Sequence, residues 1–126
     1  MRMAFVAFNL GCLLSLLGCG GEPEAPPSPL APRLDAAKAL SDPGARDKEL
    51  VKLAVEAAAA GDATVANGSL DAIGNDALRE QTKPKVILRL AKSGKTDPAN
   101  KLLNSIGDAK TRDRIRLKIR TRDFSE

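Results

Sequence analysis

The most reactive side chains in this sequence are two thiols, Cys12 and Cys19, both close to its start. Histidine is absent, so neither thiol has an imidazole to activate it, and the usual zinc ligand sets cannot be assembled. Phosphate binding is suggested by Lys92-Ser93-Gly94-Lys95-Thr96, which follows the apolar run Val86-Ile87-Leu88-Arg89-Leu90. A phosphate loop ending in this way needs an earlier glycine where Arg89 stands. The corresponding stretch one repeat upstream, Ala60-Gly61-Asp62-Ala63, reads as a plain inter-helix turn, and the same is expected here. Carboxylates such as Asp71, Asp76 and Glu80 are scattered as on solvated helix faces, and no serine–lysine spacing stands out. Trp and Tyr are missing, which removes the stacking platforms that single-stranded nucleic acid needs. The expectation is a protein that is not an enzyme, holds no cofactor or metal, and has no nucleic-acid partner.

The thiols sit in an apolar leader. Arg2 gives it a positive start, and Ala4 to Leu17 is apolar apart from Asn9, Gly11, Cys12 and Ser15. A helix needs roughly 20 apolar residues to span a bilayer, so the run suits a secretory signal peptide better than an anchor. It ends in Leu16-Leu17-Gly18-Cys19, which resembles the lipobox of bacterial lipoproteins. By that resemblance the sulfur of Cys19 takes a diacylglyceryl group, and cleavage makes Cys19 the new N-terminus. Leu16 and Gly18 fit the pattern, whereas Leu17 is bulkier than the usual occupant. Cys12 is the poorer match, because Asn9 stands where an aliphatic residue is wanted and the apolar run continues beyond it. Each buried methylene adds about 0.8 kcal/mol of membrane binding, so two or three acyl chains would hold the chain permanently. The implied address is the cell envelope, outside the cytoplasm. Gly20, where an inner-membrane lipoprotein tends to carry aspartate, favours the outer membrane of a Gram-negative cell.

Residues 1–18 are thus read as signal peptide, 19–32 as lipidated cysteine and linker, and 33–126 as the folded domain. Five of the eight prolines fall between Gly20 and Pro32, a composition that stays extended and solvated. At roughly 3.1 Å per residue such a tether reaches about 40 Å from the lipid surface. The leader carries one charge, Arg2, so the 20 basic residues fall to 19 against 16 acidic, leaving a mature net charge of +3. Phe124 is the one aromatic residue after the leader.

From Arg33 onward the pattern is helical. Leu50, Leu53, Ala54 and Ala57 recur on one face, as do Ala66, Leu70, Ile73 and Ala77, then Val86, Ile87, Leu90 and Ala91, then Ala99, Leu102, Leu103 and Ile106. Asp42-Pro43 and Asp97-Pro98 look like caps followed by proline at the first helical position. The chain also matches itself at an offset of 33: between 51–81 and 84–114, nine of 31 positions are identical, among them Lys52/Lys85, Gly61/Gly94, Ala66/Ala99, Leu70/Leu103, Ile73/Ile106 and Gly74/Gly107. Ala37, Leu40 and Arg46 supply a partial third copy upstream. This implies a repeated helical hairpin in which Gly61 or Gly94 ends one helix and Gly74 or Gly107 the next. The spacing of a glycine, a small alanine and two large apolar residues resembles the tetratricopeptide repeat. The aromatic expected late in the first helix is Ala57 or Leu90, and the proline expected after the second is absent. The expected fold class is all-α, a short αα-hairpin repeat solenoid of about three units with helices near 33–41, 44–60, 63–74, 77–93, 97–107 and 109–121. Pro84 implies that the fourth helix starts near Lys83 or kinks there. Ile115, Leu117 and Ile119 alternate as in a strand, but the repeat register makes that segment a helix.

Two ladders follow the repeat. Arg46, Arg79 and Arg112, each followed by an acid, are expected to tie neighbouring hairpins through ion pairs. Lys52, Lys85 and Lys118 form the second ladder, with Lys48 and Lys92 close by. In tetratricopeptide proteins the first helix of each unit lines a groove, so the resemblance implies that these lysines could meet the carboxylates of an acidic or C-terminal peptide. The alternative is that they are merely solvated. The basic end, including Arg114, Arg116, Lys118, Arg120 and Arg122, could instead bind anionic lipid, lipopolysaccharide or wall polymer. Both readings make the chain a binding module, with either an unknown protein partner or the envelope surface itself as target.

Overall fold

A computed structural model describes residues 27–125, and these form six helices with no strand. The helices are α1 (Ala31–Lys38), α2 (Pro43–Ala59), α3 (Ala63–Ala72), α4 (Asp76–Lys92), α5 (Thr96–Asn104) and α6 (Ala109–Thr121). The leader, both thiols and the linker up to Pro26 lie outside the described residues. The stretch expected to stay extended up to Pro32 turns helical at Ala31, with Pro32 in the first turn, where its missing N–H costs nothing. Among the described residues no helix is long and apolar enough to cross a membrane.

Capping explains where most helices begin. Asp42, Asn75 and Asp108 each accept the backbone N–H three residues on, from Ala45 at 2.6 Å, Leu78 at 3.0 Å and Thr111 at 2.8 Å. These three caps stand at the offset of 33 seen in the sequence, although only two of them are chemically identical. Asp62 caps α3 in the same way, taking the N–H of Val65 at 3.0 Å. Asp97 does not cap α5. That helix starts at Thr96, and Asp97 lies inside its first turn, where a negative charge suits the helix dipole.

The ends of the long helices match one another. Gly61 and Gly94 take φ of +77° and +84°, and the N–H of Asp62 and Lys95 reach back to the carbonyls of Ala57 and Leu90, both at 2.8 Å. The two turns lie together: a Cβ added at Gly61 would stand 3.4 Å from Cε of Lys95 and 3.6 Å from Oγ of Ser93. The short helices end differently from expectation. α3 stops at Ala72 and α5 at Asn104, ahead of Gly74 and Gly107, and neither glycine has positive φ.

The core runs through the whole bundle. Leu50, Ala57, Leu70, Ile87, Leu90 and Leu103 are buried, and Ala66 and Ala99 have no exposed surface. Closest approach is shown again at Gly68 in α3, where an added Cβ would come within 3.1 Å of Leu34 in α1. α4 packs against α2, α3, α5 and α6, which makes it the central element. This accounts for Pro84. α4 does not begin near Lys83 but runs unbroken from Asp76 through Pro84. A helix-interior proline costs about 3 kcal/mol. Burial of Val86, Ile87 and Leu90, at about 1.5–3 kcal/mol per large apolar side chain, outweighs that.

The last segment is helical throughout. Its apolar trio divides accordingly: Ile115 is buried and Ile119 partly buried, whereas Leu117 is 51% exposed. Alternating residues point to opposite sides of a helix, so the period-two pattern here does not describe a strand.

Candidate functional site: the lysine face of α2, α4 and α6

α2, α4 and α6 lie side by side, and the shallow depressions between them collect the lysines singled out from the sequence. Lys48 and Lys52 line one, about 360 Å3 in volume, with Val51 and Leu78 as its apolar lining. Lys85 and Lys118 line the next, between α4 and α6, beside Leu88 and Ile115. Lys92 lines a third, about 360 Å3, with Leu88, Ser93 and Phe124. Leu88 borders both of the last two.

The partners of these lysines differ. Lys52 is held 2.8 Å from Glu49, an exposed pair in its own helix. Lys118 donates to the carbonyl of Ser125 at 2.5 Å. Lys48, Lys85 and Lys92 make no hydrogen bond or ion pair among the described residues. The face therefore offers unneutralised cations over an apolar floor. Such a surface can accept carboxylates and an apolar side chain together. Among the described residues no cluster of His, Cys, Asp and Glu could hold a metal.

The side chains of the basic end are spread over different sides of α6. Arg114 borders the α4–α6 depression, Lys118 turns toward the C-terminal tail, and Arg122 caps α6 with φ of +55°. Arg116 is paired with Asp113 at 2.8 Å. Arg116 and Arg120 remain on the outer side of α6 with the exposed Leu117.

The arginine ladder is rewired relative to expectation. Arg79 and Arg112 donate to the carbonyls of Ile73 and Ile106, both at 3.2 Å, and so fasten each helix to the end of the one before it. The acids that follow them are not the bridging partners. Glu80 pairs with Lys83 and Asp113 with Arg116, each within one helix. Asp47 does something the sequence did not suggest. It is 7% exposed, and its two oxygens accept the N–H of Gly74 and of Asn75, each at 3.0 Å, across the corner between α3 and α4.

The phosphate-loop lookalike proves to be the α4–α5 turn. The N–H groups of Ser93, Gly94 and Lys95 go to the carbonyls of Arg89, Ala91 and Leu90 at 2.9, 3.1 and 2.8 Å, so the turn has no cradle of free N–H groups. Three carboxyls are held below their usual range. Hydrogen bonding from Arg33 does so for Glu56, bonds from Thr111 for Asp108, and bonds from Ser125, assisted by the charge of Lys118, for Asp123. All three lie at the surface: Glu56 links α2 to α1 through Arg33, Asp108 caps α6, and Asp123 holds the tail. The sequence reading overlooked the tail itself, for which the lone aromatic Phe124 was the available signal.

The chain matches no family model, no curated protein and no solved structure.

Proposed function

We propose that this chain is a lipid-anchored, extracytoplasmic protein-interaction module, built as a short αα-hairpin repeat of tetratricopeptide-like type and without enzymatic activity. Recurrence at 33 residues supports the repeat: the caps at Asp42, Asn75 and Asp108, the left-handed glycines 61 and 94, and the arginine bonds to Ile73 and Ile106. The observation that carries the functional reading is the gathering of Lys48, Lys52, Lys85, Lys92 and Lys118 around apolar depressions on one three-helix face. A partner that fits is an acidic peptide with an apolar anchor. The Lys52→Glu, Lys85→Glu double variant is expected to lower crosslinked partner capture in the cell envelope by about tenfold, as like charges now oppose the peptide. Undiminished capture of the same partner, identified by mass spectrometry, sinks this reading.

The address is tested separately. Incorporation of labelled palmitate should be abolished by Cys19→Ser. Unmodified full-length chain free in the cell interior would remove the envelope assignment.

A second reading rests on Leu117, which stands 51% exposed on α6 among Arg114, Arg116 and Arg120. An apolar side chain ringed by cations suits an anionic lipid or polymer surface. This reading requires that the domain bind vesicles of phosphatidylglycerol and lose that binding on Leu117→Asp, while the Lys52→Glu, Lys85→Glu change leaves it intact.

A further inference from the structure

The C-terminal tail folds back onto the lysine face. Arg122 takes a left-handed conformation, φ +55°, which few residues other than glycine adopt. The N–H of Asp123 then reaches the carbonyl of Lys118 at 2.9 Å, so the chain reverses direction on leaving α6. Asp123 accepts the N–H of Ser125 at 3.2 Å and its hydroxyl at 2.7 Å, a local turn that holds the next residues in place. Lys118 clamps the Ser125 carbonyl, and Ser125 lines the α4–α6 depression. Phe124 is half-buried and packs onto the core beside Leu88, Lys92 and Ala59.

Left-handed backbone at a non-glycine residue is unfavourable, so contacts must hold the segment that follows it. The contact that repays this is burial of Phe124, the single aromatic after the leader. The tail also has the chemistry that the lysine face accepts. Asp123 immediately precedes the aromatic ring.

We propose that the tail is an internal ligand of the lysine face, its ring seated in the depression lined by Ala59, Leu88, Lys92 and Ser93, which an incoming peptide with an aromatic side chain beside a carboxylate must displace. The proposal rests on the lysine face being a peptide groove. Tail occupancy then lowers the apparent affinity of any partner by the fraction of molecules left open.

The test uses the full domain with Phe124→Ala, beside a second form ending at Arg122, both checked for helicity by circular dichroism. The probe is a synthetic peptide of residues 121–126, followed by amide NMR shifts. Saturable shifts at Leu88, Lys92 and Ser93 are expected in both altered forms. The affinity should be about tenfold higher than for the unaltered domain, as for a groove closed nine-tenths of the time. Equal affinity in altered and unaltered domains overturns the proposal, as does absence of saturable shifts in the altered forms. If the tail peptide binds as expected but charge reversal at Lys52 and Lys85 spares partner capture, the tail contact stands and the proposed function fails.

Discussion

Leu90→Ala is expected to remove about 2–5 kcal/mol of stability, the cost of a large-to-small change at a site that cannot collapse. Leu90 has no exposed surface and lies on α4, the helix that touches four others. Its carbonyl also accepts the N–H of Lys95 and the hydroxyl of Ser93, so its backbone is held while the side chain is lost. A domain of this size has only about 5–15 kcal/mol in hand. The midpoint of thermal unfolding should therefore fall by about 10 °C or more. Far-ultraviolet circular dichroism is the suitable readout, since the described residues include neither Trp nor Tyr. A fall of only a degree or two would mean that α4 is not the element on which the bundle depends.

The second large effect is expected at Asp47. Asp47→Ala leaves the N–H groups of Gly74 and Asn75 without their acceptor, at about 1–3 kcal/mol for each donor left unsatisfied. Both backbone groups lie at an exposed corner, where water recovers part of that cost, so a loss of about 2 kcal/mol is expected. Asp47→Asn retains one acceptor oxygen and should lose about half as much. Hydrogen exchange separates this from a general weakening. Protection should drop at the amides of residues 74 and 75 in Asp47→Ala while that of Leu90 follows global stability. Unchanged exchange at the corner would show that the carboxylate holds nothing there.

Comparing the two sites shows what the sequence could and could not reveal. Leu90 was legible because apolar spacing along a helix is a local signal, and so were the caps at Asp42 and the glycines at 61 and 94, each satisfied by atoms a few residues away. Asp47 was not. Its partners are 27 and 28 residues distant, and its neighbour Arg46 made an ion pair the obvious reading. Pro84 misled because propensity argues for a break, whereas packing on four sides holds the helix. The lysine face lay in between. Repeat spacing predicted that Lys52, Lys85 and Lys118 share a side, but nothing local indicated that Lys118 would be turned toward the chain's own end.

The helix pairs that pack extensively are all first or second neighbours along the chain: α1 with α2 and α3, α2 with α3 and α4, α3 with α4, α4 with α5 and α6, and α5 with α6. This arrangement has a mechanical consequence. Tension applied between the two ends meets no clamp joining first helix to last, so the load passes from one interface to the next. Under such a pull the bundle peels helix by helix from its ends, lengthening in small increments instead of rupturing at once.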